Sequence, residues 1–181
     1  MKTIRVYPLI HLSPSAFRRL KAAQMEAAQV WNVCMETHKQ ARMTPARWPG
    51  RKELEHATKG HFALNAQAVQ QIVHAFLANV ETTRTLRREH PQMRMKYPWR
   101  TKRFYPVKWP AQAIHKEESR VILPMGRGHG SIILPLALPE NAGACTLVWN
   151  RGLSCMSASK FPRPRPLQER RKRPLTSEKS T

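Results

Sequence analysis

The chain has 181 residues, with 32 Lys plus Arg against 11 Asp plus Glu and a formal net charge of +21. An excess this large repels itself in the compact state and attracts polyanions, so nucleic acid is the leading partner, ahead of an anionic membrane surface, for which no lone Lys-rich amphipathic helix is present. No run of about 18 apolar residues occurs, which excludes a spanning helix, and the opening Met-Lys-Thr-Ile-Arg-Val-Tyr-Pro lacks the apolar stretch of a secretory signal.

Residues 3–10 mix Thr, Ile, Val and Tyr, which predicts a short strand. Ser13-Pro14 then opens a helix: the hydroxyl can accept from an orphan backbone N–H, and proline at the first helical position has no N–H to leave unpaired. The helix is predicted to run to about residue 42. Phe17, Leu20, Ala23, Ala27, Val30, Trp31 and Cys34 recur at spacings of three and four and form its apolar face. Arg18, Arg19, Lys21 and Gln24 fall mostly off that face.

Thr44-Pro45 and Trp48-Pro49-Gly50 mark a connector. Residues 51–59 are predicted as a short helix closed by Gly60. A second long helix is predicted over 65–88, with a stripe of Val69, Ile72, Phe76 and Val80, and Pro91 beyond its end. Two long amphipathic helices joined by a short one predict a hairpin-like bundle.

From residue 84 the chain becomes basic and aromatic. Arg84, Arg87, Arg88, Arg94, Lys96, Arg100, Lys102, Arg103 and Lys108 face one acid, Glu89, and Tyr97, Trp99, Phe104, Tyr105 and Trp109 are interleaved with them. Cations neutralise phosphates and flat rings stack on unpaired bases. This stretch is the predicted nucleic-acid site. Lys96, Arg100, Lys102, Arg103 and Lys108 are its phosphate ligands, Tyr97, Trp99 and Trp109 its stacking candidates, and Arg84, Arg87 and Arg88 extend the charged face along the second helix. Phe104 and Val107 are assigned to the core.

Strands are predicted over 104–109, 119–123, 131–138 and 144–150, separated by turn residues, with Glu117-Glu118 in one turn and the Gly126–Gly130 loop in another. That loop lacks the spacing and the strand-to-helix setting of a phosphate-binding loop and reads as a hairpin turn, with a nest of backbone N–H groups helped by Arg127 and His129 as the weaker alternative. The expected fold class is α+β: a small antiparallel β-barrel into which the helices are inserted. After Gly152, Ser, Pro, Arg and Lys dominate and periodicity vanishes, which predicts a disordered basic tail.

The eight histidines are scattered without a His-Glu-x-x-His spacing and are assigned to the solvated surface. Cys34, Cys145 and Cys155 form no Cys-x-x-Cys pair, so neither a zinc ribbon nor a disulfide framework is predicted, and a reducing, cytoplasmic location is expected. No Ser–His–Asp arrangement is legible. No catalytic residue, metal, cofactor or small-molecule substrate is predicted.

Several patches in order resemble a known family. The strand and Ser-Pro helix are followed by Leu64-Asn65-Ala66-Gln67-Ala68-Val69-Gln70-Gln71-Ile72. Then come Tyr97-Pro98-Trp99-Arg100-Thr101-Lys102-Arg103-Phe104 and Val121-Ile122-Leu123-Pro124-Met125-Gly126-Arg127-Gly128. Over residues 3–150 this series resembles the amino-terminal part of TnpB proteins, the insertion-sequence proteins also called OrfB or transposases, which are RNA-guided DNA nucleases related to type V CRISPR effectors. The resemblance implies a wedge-like β domain from residues 1–12 and 93–150 and a helical recognition domain from 13–92; residues 151–181 are the tail read from composition. It implies guide-type RNA and DNA as partners, with base pairing reading sequence and the protein gripping backbone and shape. The family continues into a RuvC-like nuclease with an acidic triad and a zinc site. Neither is legible here, so a truncated, non-cleaving, nucleic-acid-binding fragment is expected.

Three alternatives go with this expectation. One is a DNA-binding regulator using a helix-turn-helix, against which the long connector argues. One is a non-functional remnant with exposed sheet edges. The third concerns the tail: Cys155 to Pro162, back-translated and read one frame away, gives Leu-His-Val-Ser-Val-Glu-Val-Pro, which alternates like a strand. A frameshift near Gly152 would then place the remaining residues out of frame.

Overall fold

The computed structural model describes residues 2–10, 12–45, 47–149 and 152–160. It is α+β. The chain runs β1 (Lys2–Pro8), α1 (Pro14–Met43), α2 (Arg51–Thr58), α3 (Ala66–Glu89), β2 (Val107–Trp109), a 3-10 turn (Ala111–Ala113), β3 (His115–Lys116), β4 (Val121–Leu123), β5 (Ile132–Leu134), β6 (Ala142–Trp149) and β7 (Leu153–Lys160). One antiparallel sheet has the order β1-β7-β6-β2 and a smaller one the order β3-β4-β5. Among the described residues the sheets do not close into a barrel.

The helices begin where their caps dictate. Ser13 Oγ accepts from the Ala16 N–H at 3.1 Å, with Pro14 in the first turn. Asn65 Oδ1 accepts from the Gln67 N–H at 2.9 Å and opens α3. Gly60, at φ +77°, takes the left-handed turn that follows α2. The predicted stripes are buried, except that Phe17 lies at the edge and is partly exposed, and Ala28, Met35 and His38 extend the α1 face. Two assignments are corrected. Gln24 is buried, because the chain after α3 packs along that flank of α1. His38 is 1% exposed and lies among aromatic rings, not on the surface.

The two long helices do not form an antiparallel hairpin. They run side by side in the same sense. Trp31 of α1 meets Phe76 of α3 midway, and near the C-terminal ends Arg42 and Arg87 cover two rings stacked on each other. At the other end Arg19, Ala22 and Ala23 of α1 line one cavity with Ala63, just before α3. The connectors and α2 carry the chain back, with Leu54 fully buried and Thr58 buried as its Oγ1 donates to the Leu54 carbonyl.

The large sheet has one buried face. Val107, Leu147, Cys155 and Tyr7 lie in one cross-strand row, and Trp109, Cys145, Ser157 and Arg5 in the next. The alternation of period two puts Lys108 and Met156 on the opposite face. Buried residues of both sheets and all three helices form one continuous core, worth about 25 cal/mol for each Å² of apolar surface removed from water. No helix among the described residues is long and apolar enough to cross a membrane.

Strand β7 corrects the prediction of a disordered tail from residue 151. Leu153–Lys160 pairs with β1 along its whole length and with β6 on its other side. Its sequence, Leu-Ser-Cys-Met-Ser-Ala-Ser-Lys, buries Leu153, Ser154, Cys155 and Ser157. The residues as written therefore supply the strand that the shifted reading frame was invoked to provide. The remainder of the tail, 161–181, lies outside the described residues.

Candidate nucleic-acid interface

Helix α3 ends where the His90 N–H donates to the Leu86 carbonyl at 2.8 Å and Pro91 follows. Residues 93–106 then run without regular structure along α1. Asn32 holds this segment through both backbone groups of one residue: its Nδ2–H donates to the Lys102 carbonyl and its Oδ1 accepts from the Lys102 N–H, each at 2.9 Å. The Tyr105 N–H donates to the Gln24 carbonyl at 3.1 Å. The Tyr105 ring stacks on Trp31, with centroids 4.7 Å apart, and burial pushes its phenol above the usual range.

The segment brings Tyr97 and Trp99 to the C-terminal ends of α1 and α3. Their rings are stacked 4.9 Å apart at 22°. Trp48, from the α1–α2 connector, meets Tyr97 edge-on at 5.2 Å, and His38 packs between Trp48 at 4.6 Å and Phe76 at 5.6 Å. Burial, and then the charge of Arg84, hold the His38 imidazole below its ordinary value, so it is neutral at pH 7.

Cations cover these rings. The Arg42 guanidinium lies 5.0 Å from the Trp99 centroid, Arg84 5.4 Å from Trp48 and Arg87 5.1 Å from Tyr97. Lys102 Nζ lies 5.4 Å from Trp31 and Arg103 5.6 Å from Phe104. Each ring of the Tyr97–Trp99 stack has the other ring on one face and a guanidinium on the other. Such contacts contribute roughly 0.5–2 kcal/mol each and fix the direction in which the N–H groups point. The rings thus serve as platforms for arginines, and their faces are already occupied within the protein. Arg84 also pairs with Glu81 at 3.2 Å. Among the described residues Arg42 and Arg87 meet no carboxylate.

No protein-family model matches the chain, and no curated protein matches its sequence.

The structure gathers part of the predicted set. Arg84, Arg87, Tyr97 and Trp99 come together on one shelf, while Lys102 lies apart from it, over Trp31 midway along α1. Arg88, Lys96, Arg100 and Arg103 are exposed, and the latter three lie on the segment clamped to α1. Lys108 points away, from the sheet face opposite its buried neighbours Val107 and Trp109. Trp109 is not available for stacking: it is fully buried, and its Nε1–H donates to the Pro124 carbonyl at 3.0 Å. Phe104, assigned to the core, is instead 40% exposed beneath Arg103. Arg42, Trp48 and His38 belong to the shelf, although sequence reasoning left them out. The available signals were Trp48 between turn residues and Arg42 in the last turn of a helix. Among the described residues no three His, Cys, Asp or Glu side chains gather as a metal site.

Proposed function

We propose that this chain is a nucleic-acid-binding module that holds the sugar–phosphate backbone of RNA or DNA. One observation carries the reading: Arg42, Arg84 and Arg87, from the ends of two helices, are each held over a ring of one aromatic cluster. Guanidinium groups ordered in this way lose little side-chain freedom on meeting a phosphate and can present paired N–H donors to its oxygens. The net charge of +21 supplies long-range attraction. Because the ring faces are occupied, recognition at the shelf is by charge and shape rather than by base stacking.

We further propose that the module corresponds to the amino-terminal region of a TnpB-like insertion-sequence protein, with guide-type RNA and DNA as partners. In that reading the large sheet is part of a wedge-like domain and α1–α3 are its helical insertion. The ordered sequence patches support this, as does the place of the helices in the chain, between β1 and β2 of one sheet. The role assigned here is binding, not cleavage.

The test is equilibrium binding of the full chain to single-stranded and duplex RNA and DNA over a range of salt concentrations. The expected result is an affinity that falls linearly on a logarithmic salt axis, by about 0.7–0.9 per phosphate contacted. Affinity that is absent at moderate salt, or that does not respond to salt, overturns the reading.

A further inference from the structure

A second feature lies on the other flank of α1, away from the shelf. A cavity of about 460 Å³ opens between α1 and the β4–β5 loop, within the size range of small-ligand pockets. Its α1 wall is Arg19, Ala22, Ala23 and Glu26, and its opposite wall includes Met125 and His129. The loop is pinned in place. The Gly126 N–H donates to the Ala63 carbonyl at 2.7 Å, and a Cβ on Gly126 would sit 3.0 Å from the Leu64 carbonyl oxygen, so a side chain there would require the backbone to give by a few tenths of an ångström. Arg19 closes one end by donating to the Gly130 and Ser131 carbonyls.

Glu26 has no partner in this setting. Its Oε2 is buried without a hydrogen bond, and no cation among the described residues lies within ion-pair distance. Buried polar atoms in folded proteins are almost always paired, and an ionised carboxylate is acceptor-only. The donor that satisfies it is therefore a water or a group of a bound ligand. A metal ion is disfavoured, because among the described residues no group of three His, Cys, Asp or Glu side chains gathers there.

We propose that this cavity receives an unpaired guanine base, with Glu26 accepting from its Watson–Crick edge. The inference rests on the nucleic-acid reading above. Guanine carries two adjacent donors on that edge, the N1–H and the N2 amino group, and they match the two oxygens of one carboxylate. Adenine N1 and cytosine N3 would set a lone pair against the same oxygens, and uracil or thymine offers a single N–H flanked by carbonyls. Oε2 is buried in the structure, so presenting both oxygens to the cavity takes a change of Glu26 rotamer on binding. Ala22, Ala23 and Met125 supply the apolar surface that a base plane needs. Arg19 lies two turns from Glu26, about 10 Å along α1, the scale of one nucleotide, and it sets positive charge where the phosphate of that nucleotide would lie, on a cavity that His129 also lines. Bases held outside a duplex are read on this edge.

The experiment is calorimetric titration of the full chain with guanosine, inosine and adenosine 5′-monophosphates. It is repeated with pyrimidine oligonucleotides, in ribose and deoxyribose forms, carrying one central guanine or adenine. The expected result is a preference for guanosine monophosphate over adenosine monophosphate of about tenfold. Inosine, which lacks the N2 amino group, should fall between them. Glu26→Gln should abolish the preference, while the exposed control Glu36→Gln keeps it. The ribose and deoxyribose arms identify which strand supplies the base. Oligonucleotides that bind equally well with guanine or adenine overturn the pocket inference and leave backbone binding standing. Oligonucleotides that do not bind at all overturn the underlying reading instead. The wild-type comparison decides the matter even if the Glu26 variant fails to fold.

Discussion

Asn32 and Lys102, seventy residues apart in the chain, are joined by two hydrogen bonds of 2.9 Å that use the Asn32 amide in both directions. The pairing imitates one rung of a β-ladder between a helix side chain and an irregular segment. It fixes the position of residues 97–105 against α1, and hence the position of the shelf.

Replacing Asn32 with alanine removes both bonds and leaves the partly buried Lys102 backbone groups unpaired. The expected loss is about 1–3 kcal/mol of stability, measured by chemical denaturation. Amide exchange at Lys102 should quicken well beyond that of the α1 core. Asn32→Asp keeps the acceptor but loses the donor, and should fall between wild type and alanine. Unchanged exchange at Lys102 in Asn32→Ala would show that something else holds the segment.

The arginines act as a set. The triple variant Arg42→Gln, Arg84→Gln, Arg87→Gln should lower the slope of log affinity against log salt by about 2–3, if each guanidinium neutralises one phosphate. Tyr97→Leu and Trp99→Leu leave the charge intact but remove the rings beneath Arg87 and Arg42. They should weaken binding several-fold with little change in slope, because the cations remain but are no longer held in place. Rings that stacked on bases would instead make these variants lose affinity for single strands much more than for duplex, an outcome that would defeat the platform assignment.

Much of this architecture was legible in the chain. The Ser13-Pro14 start, the Asn65 cap and the apolar stripes of α1 and α3 follow from local chemistry, which acts over one turn of helix. What failed to show depends on long-range packing. Gln24 and His38 read as surface residues because helical periodicity does not reveal an irregular segment laid along a helix flank. Strand β7 read as tail because Ser, Cys, Met and Ala carry little strand signal. Its pairing with β1, nearly the whole chain away, and with β6 supplies what local propensity does not. The same holds for the shelf. The sequence put cations beside aromatic residues, but only the fold sets Arg42 and Arg87 on opposite sides of one stacked pair, and only the fold takes Trp109 into the core.

Trp109 gives the contrasting case. Trp109→Ala should cost about 3–5 kcal/mol, combining lost burial with a cavity, and leaves the Pro124 carbonyl without its donor. That is a large share of the roughly 5–15 kcal/mol available to a small domain. Under conditions where the variant stays folded, its affinity for nucleic acid should match wild type, because the side chain makes no contact with solvent. A folded Trp109→Ala protein with lost affinity would place this residue at the interface after all.

His38 should make stability depend on pH in a defined window. Its ordinary value is 6.5, and burial followed by the charge of Arg84 lowers it in the folded state. Below 6.5 the unfolded chain takes up a proton that the folded protein resists, so acid favours unfolding. The contribution is fully present above about pH 6.5 and is lost as pH falls through that value toward the depressed folded one. Its slope cannot exceed about 1.4 kcal/mol per pH unit, the limit for one proton. Glu53 and Glu55 are lowered from 4.5, Glu53 by its backbone hydrogen bond and then by Arg47, Glu55 by Arg51. They therefore act in a separate window below pH 4.5. His38→Phe puts a ring that cannot titrate among Trp48, Phe76 and Trp99. Denaturation curves between pH 5 and 7.5 should be steeper in pH for wild type than for this variant. Equal slopes would mean that His38 takes up its proton at the same pH in the folded and unfolded chain, so that burial and Arg84 do not depress it.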